Sequence, residues 1–262
     1  KKGNPKPIFK FPSPSEIGAI KDWNPDRQEL ANEPVEENYI AQVQMPDYLE
    51  RPEWKGSVES SKDFIWTNGL RFLRPYQLNA ISHLQDAVKK GKDRFLFEMA
   101  TGTGKTLVSA GVIRLFLRTK NARRVLFLVD RLELEDQAWK AFTNYLKPDY
   151  STFIYKEHRS DWHKADILVT TIQSLMSDNK YRYLFSPVDF DLIISDEAHR
   201  SISGNARAVF EYFHGYKLGL TATPKDYLKG VDLNTDRDND PREIERRMLR
   251  VTYETFGCDG GD

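Results

Sequence analysis

Seven consecutive residues, Ala100-Thr101-Gly102-Thr103-Gly104-Lys105-Thr106, carry the most specific chemistry in this 262-residue chain. They follow a short apolar run and open a segment of helical period, the context in which a glycine-rich loop holds a polyphosphate. Gly102 and Gly104, with Thr103 between them, let backbone N–H groups approach the phosphates, and the positive end of the following helix adds attraction. Lys105 is placed to neutralise charge on the β- and γ-phosphates, and the Thr106 hydroxyl to ligate Mg²⁺. The strict pattern asks for glycine at position 99, where this chain has Met99, but the Gly-Lys-Thr end that makes the phosphate and metal contacts is intact.

A second constellation, Leu192-Ile193-Ile194-Ser195-Asp196-Glu197-Ala198-His199, puts two adjacent carboxylates at the end of an apolar strand. An unpaired buried charge is costly, so acids in that position imply a cation. Asp196 suits the Mg²⁺, and Glu197 suits a water aimed at the γ-phosphate, which it would orient or deprotonate. Together the two motifs predict catalysis of nucleoside triphosphate hydrolysis by Lys105, Asp196 and Glu197, with Thr106 and Asp196 on the metal.

The elements that must position these groups are legible between residues 70 and 224. Short apolar runs at 95–97, 125–129, 167–169, 192–194 and 218–220, with a weaker one at 153–155, alternate with helical-period segments at 76–88, 105–117, 132–146, 172–176 and 206–213. Near-continuous apolar runs suit strands covered on both faces, so the expectation is an α/β fold with a doubly wound parallel sheet and ligands at the strands' carboxyl ends. Residues 1–68, rich in proline and charge, read as an arm or connector with short helices that packs on another surface. Residues 225–262 read as a charged connector, with a loop at 232–240 and a short helix at 243–250.

Composition narrows the class. Lys plus Arg and Asp plus Glu balance at 39 each, so nucleic-acid binding must come from a local patch. One cysteine, Cys258, excludes an internal disulfide framework and a four-thiolate zinc site, as expected of a cytoplasmic protein. No apolar stretch approaches the roughly 18 residues of a membrane helix. The first residue is Lys, which fits a fragment or processed chain.

Asp-Glu-Ala-His at 196–199, the loop 100–106 and Thr221-Ala222-Thr223 resemble motifs II, I and III of superfamily 2 helicases and translocases, in the order found in their first RecA-like, P-loop lobe. Leu73-Arg74-Pro75-Tyr76-Gln77 resembles the adenine-reading Q motif of that superfamily. The resemblance implies that Gln77 recognises the adenine of ATP, with Arg74 near the nucleotide, and that His199, Thr221 and Thr223 couple the site to the lobe interface. Val129-Asp130-Arg131, Thr170-Thr171-Ile172-Gln173 and His199-Arg200-Ser201 are similar to the restriction (R) subunit of type I restriction-modification enzymes. So, less strongly, are Phe11-Pro12-Ser13-Pro14-Ser15-Glu16 and Thr252-Tyr253-Glu254-Thr255-Phe256-Gly257. In that family Asp130, Arg131, Thr170 and Thr171 would lie along double-stranded DNA, and the partners would be modification and specificity subunits.

Two alternatives stand beside this reading, a DEAD/DEAH-type RNA helicase lobe and a nucleotide-binding docking module without motor work. Thr170 and Thr171 also have a simpler reading as caps of a helix starting near Ile172. Residues 1–262 leave no room for a second motor lobe after the first, and they hold no convincing Asp plus Glu-x-Lys nuclease constellation.

Overall fold

The computed structural model describes residues 25–201, 205–223, 249–250 and 252–257. The resemblance at 11–16, the charged loop 232–240, most of the helix expected at 243–250, and Cys258 lie outside the described residues.

The described residues open with four short helices, α1 (Arg27–Asn32), α2 (Ala41–Gln44), α3 (Pro52–Lys55) and α4 (Val58–Asn68). Then α5 (Pro75–Lys89) leads into β1 (Arg94–Glu98), α6 (Lys105–Arg118), β2 (Val125–Val129) and α7 (Leu132–Leu146). Next come β3 (Thr152–Ile154), β4 (Ile167–Thr171), α8 (Ile172–Met176), α9 (Tyr181–Leu184) and β5 (Leu192–Ser195). Last are α10 (Ala198–Ser201), α11 (Asn205–Tyr212) and β6 (Tyr216–Thr221). The strands form one sheet in the order β1-β6-β5-β2-β4-β3, every pair parallel. Each apolar run read from the sequence is a strand, including the weak one at 153–155.

Alternation along the strands explains the two-sided cover. In β2, Val125, Phe127 and Val129 join a core with α5, α6 and α7, while Leu126 and Leu128 join a second core with α8 and α11. Successive strand side chains point to opposite faces, so a wholly apolar strand needs a helical layer on each side. Because all strands are parallel, their carboxyl ends share one edge. The chain crosses from β1 to β2 over the positions later taken by β5 and β6, which opens a crevice there.

The N-terminal helices pack on this lobe itself. Leu30, Tyr39 and Ile40 are buried in the core shared with α5 and α6. Gln85 donates its amide to the carbonyls of Leu30 and Glu33 at 3.0 and 2.8 Å, and Asn121 to that of Asp26 at 2.8 Å. The buried Arg114 guanidinium donates to the Tyr39 carbonyl and lies 4.1 Å from the centre of its ring. The surface that the expected arm needs is therefore supplied, for residues 25–45, by the back of the helix that follows the phosphate loop.

Candidate active site

The loop 99–104 leaves β1 beside β6, tied by the Met99 N–H to the Thr221 carbonyl at 2.8 Å. Gly102 (φ +80°) and Gly104 (φ +85°) both adopt the left-handed conformation that favours glycine. At Gly104 a Cβ would also lie 2.7 Å from Nε2 of Gln77. These turns aim the loop into the N-terminus of α6, where Lys105 is the first helical residue and Thr106 the second. Thr103 closes the turn internally, its hydroxyl donating to the Ala100 carbonyl at 2.6 Å.

Gln77 is 1% exposed, and its amide braces this loop. Oε1 accepts the Arg74 N–H at 2.9 Å, and Nε2 donates to the carbonyls of Thr103 and Gly104 at 3.1 and 3.2 Å. Tyr76 adds a brace that sequence reasoning missed, its hydroxyl donating to the Thr103 carbonyl at 2.6 Å and accepting from Arg74 Nη1 at 3.3 Å. The Q-like pentapeptide is thus the mould of the phosphate loop.

Lys105 meets both acids. Its Nζ is ion-paired with Glu197 Oε1 and lies 4.0 Å from Asp196 Oδ1. Burial raises the Asp196 pKa, opposed by the Lys105 charge and reinforced by the Glu197 carboxylate. The Asp196 N–H donates to the Leu128 carbonyl at 2.9 Å, and its Oδ1 accepts the Glu197 N–H at 3.0 Å. These bonds hold Glu197 at φ +46°, a left-handed setting that costs a non-glycine residue about 1 kcal/mol or more. In this setting the Glu197 carboxylate meets Lys105 directly, while Asp196 stands further from it.

The donor set fits Mg²⁺ bound with a polyphosphate: one hydroxyl, Thr106, and one half-buried carboxylate, Asp196, are hard oxygens, and phosphate would complete the shell. Among the described residues no cluster of three or more His, Cys, Asp or Glu could hold a metal by itself.

The coupling residues are brought together. His199 Nδ1 lies 3.7 Å from Glu197 Oε2 and 3.0 Å from Thr221 Oγ1, which in turn accepts the Thr223 N–H at 3.2 Å.

The residues expected along DNA separate. Thr170 and Thr171 are each 1% exposed. The Thr171 hydroxyl caps α8, accepting the Ser174 N–H at 3.2 Å, and the Thr170 hydroxyl is enclosed without a hydrogen-bond partner. The expectation that these hydroxyls touch phosphate is corrected, because the last two residues of β4 are still inside the sheet's cover. The capping alternative holds for Thr171. Asp130 is mostly buried and close enough to Asp196 for its charge to raise that carboxyl. Arg131 projects outward, its side chain 67% exposed.

Glu135 was not singled out by sequence, where it reads as one acid on a solvated helix face. It is fully buried, accepts the Thr171 N–H at 2.9 Å and pairs with Lys156 at 2.9 Å, fixing the end of β4 against α7. Only the packing of α7 on β4 reveals it.

A left-handed glycine loop on a helix N-terminus, facing an Asp-Glu pair across the edge of a six-stranded parallel sheet, defines a RecA-like α/β lobe. Residues 71–226 match the family described as type III restriction enzyme, Res subunit, and the chain belongs to that family. It is similar to the endonuclease subunit of the type I restriction enzyme EcoAI of Escherichia coli, 32% identical over 185 residues, which cover 66% of this chain and 22% of that protein. It is also similar to the EcoKI endonuclease subunit of Escherichia coli strain K12, 32% identical over 213 residues, covering 72% of this chain and 17% of that one. The helicase domain of Hef from Pyrococcus furiosus shares the fold, with a TM-score of 0.50 at 23% identity over 76% of this chain and 38% of that chain. The resemblance to superfamily 2 motors and type I restriction subunits, drawn from short motifs, is borne out. The chain spans about a fifth of the length of these two restriction-enzyme relatives. Among the described residues no helix is long and apolar enough to cross a membrane.

Proposed function

We propose that this chain is the ATP-binding first motor lobe of a DNA translocase of the type I restriction kind, working in the cytoplasm with modification and specificity subunits. The observation that carries this reading is Lys105 held between Asp196 and Glu197 under a left-handed glycine loop. With ATP present, Lys105 exchanges its carboxylate partners for phosphate oxygens, and the freed Glu197 orients and deprotonates the attacking water. Mg²⁺, when bound by Thr106 and Asp196, takes up the charge that develops on the phosphates. Arg74 stands on the adenine side, Gln77, buried with its amide engaged by the protein, holds the phosphate loop in shape instead of reading the base, and His199, Thr221 and Thr223 pass the nucleotide state to the lobe surface. Arg131, exposed at the end of β2, contacts DNA phosphates without reading sequence.

Turnover requires charge neutralisation from a second lobe, so the experiment uses the longer protein that carries one. Steady-state phosphate release should rise with duplex DNA of any sequence and stay basal with single-stranded RNA. Arg131→Ala should weaken duplex binding uniformly and flatten its salt dependence by about one logarithmic unit per unit of log salt. Stimulation by single-stranded RNA alone would instead establish the RNA-helicase alternative. Nucleotide binding without any nucleic-acid response would establish the docking module.

A further inference from the structure

Residues 252–256 form a helical turn packed along β1 and β6, far along the chain from both strands. Phe256 lies against Gly219, where any Cβ would come within 2.6 Å of its ring, so β6 is shaped to receive it. Arg94, paired with Glu211 through both guanidinium nitrogens at 2.7 and 2.6 Å, also donates to the Thr255 carbonyl at 2.9 Å. Tyr253 is 2% exposed, and its hydroxyl stands between two acceptors. It donates to Glu98 Oε1 at 2.6 Å, with the Thr223 carbonyl 3.4 Å away.

Those acceptors belong to the two arms of the nucleotide site. Glu98 ends β1, one residue before the phosphate loop begins at Met99. Thr223 ends the series Lys105, Glu197, His199, Thr221, Thr223, in which each side chain or N–H reaches the next. A phenol has one hydrogen and can satisfy only one of the two acceptors at a time, so the hydroxyl is a two-position contact. We infer that Tyr253 is a positioning residue that senses the nucleotide through Glu98 and Thr223 and passes its state to the segment 252–257. When phosphate draws Lys105 off Glu197, the series to Thr223 shifts, and the Tyr253 hydroxyl holds the helical turn in step with it. This rests on the ATP reading above and adds to it a residue outside the recognised motifs.

Hydrogen–deuterium exchange on residues 1–262 with the Mg²⁺ complex of a non-hydrolysable ATP analogue tests it. In the unsubstituted chain, the analogue should slow exchange at the loop 99–106 and, about five-fold, at 252–257, the size of one neutral hydrogen bond. Tyr253→Phe, which keeps the packed ring, should bind the analogue within about two-fold and protect the loop as before while losing the slowing at 252–257. Glu98→Ala should behave likewise, and Glu98→Gln, which keeps an acceptor oxygen, should recover part of the slowing. Loop protection with no nucleotide response at 252–257 in the unsubstituted chain overturns the inference alone. So does faster exchange at 252–257 in Tyr253→Phe by the same factor with and without analogue, which would mark a purely structural contact. Absence of analogue binding in the unsubstituted chain overturns the ATP reading and the inference together.

Discussion

At the scale of single residues, the site is an arrangement of three charges, Lys105, Asp196 and Glu197, which on the proposed reading nucleotide rearranges. Lys105→Ala removes the ammonium ion-paired with the Glu197 carboxylate and should weaken ATP·Mg binding by about ten- to a hundred-fold. Glu197→Gln releases Lys105 without removing it, so binding should persist while turnover stops in a protein that carries both lobes. Titration with a fluorescent ATP analogue separates the two, and unchanged affinity in a folded Lys105→Ala variant would refute the phosphate-loop assignment. Asp196 makes a further prediction, about stability. Burial raises its pKa, so the folded state binds its proton more tightly than the unfolded chain does. Its contribution to stability is full below the ordinary aspartate range and is lost as pH rises through the raised value. Asp196→Asn should therefore increase the melting temperature of the ligand-free chain at pH 7 by about a few degrees, a gain that shrinks towards acid pH. The same change should weaken Mg²⁺-dependent binding. Thermal unfolding across pH checks the sign.

At the scale of elements, the phosphate loop is clamped from behind. Helix α6 begins at the loop and carries Arg114 on its buried face, where the guanidinium meets the Tyr39 carbonyl and ring. Arg114 is 5% exposed, and this burial lowers its pKa, with Tyr39 opposing. Arg114→Leu keeps volume and apolar contact but leaves the Tyr39 carbonyl without its donor, at a cost of about 1–3 kcal/mol. Urea unfolding should show a lower midpoint with an unchanged slope. Deleting residues 1–45 should be worse, because Leu30 and Ile40 leave an apolar hollow over α5 and α6 and Arg114 loses its partner altogether. A deletion variant as stable as the intact chain would show that these helices are an appendage. The family match at 71–226 begins after them, so their place in the lobe comes from packing alone.

At the scale of the whole molecule, the nucleotide cleft is one-sided. Lys105 reaches the Asp196–Glu197 pair from the loop, and Arg207 of α11 is exposed to solvent. An arginine from a second lobe contributes on the order of 10³ to 10⁵ in rate to phosphoryl transfer. Residues 1–262 should therefore bind ATP·Mg yet hydrolyse it at a negligible rate, with or without DNA. Phosphate release by the purified chain measures this. DNA-stimulated turnover that Glu197→Gln abolishes would prove the chain a complete ATPase.

Amino-acid order was enough to place Lys105, Thr106, Asp196 and Glu197 at strand ends, because glycine spacing and adjacent carboxylates are local chemistry that the backbone carries wherever it folds. The five main strands were legible for a similar reason, since a strand covered on both faces must be apolar at every position, as β2 is. What the chain's order left open was which side chains meet across distance. Thr170 and Thr171 looked like phosphate ligands until the cover of α7 and α8 enclosed them, and Glu135 looked solvated until α7 laid it on the end of β4. Gln77 clasps Thr103 and Gly104 across 26 and 27 residues, and Tyr253 reaches Glu98 across 155. Such contacts have no period in the sequence. They exist because a parallel sheet gathers the ends of strands far apart in the chain along one edge, and only the folded order β1-β6-β5-β2-β4-β3 decides which ends are neighbours.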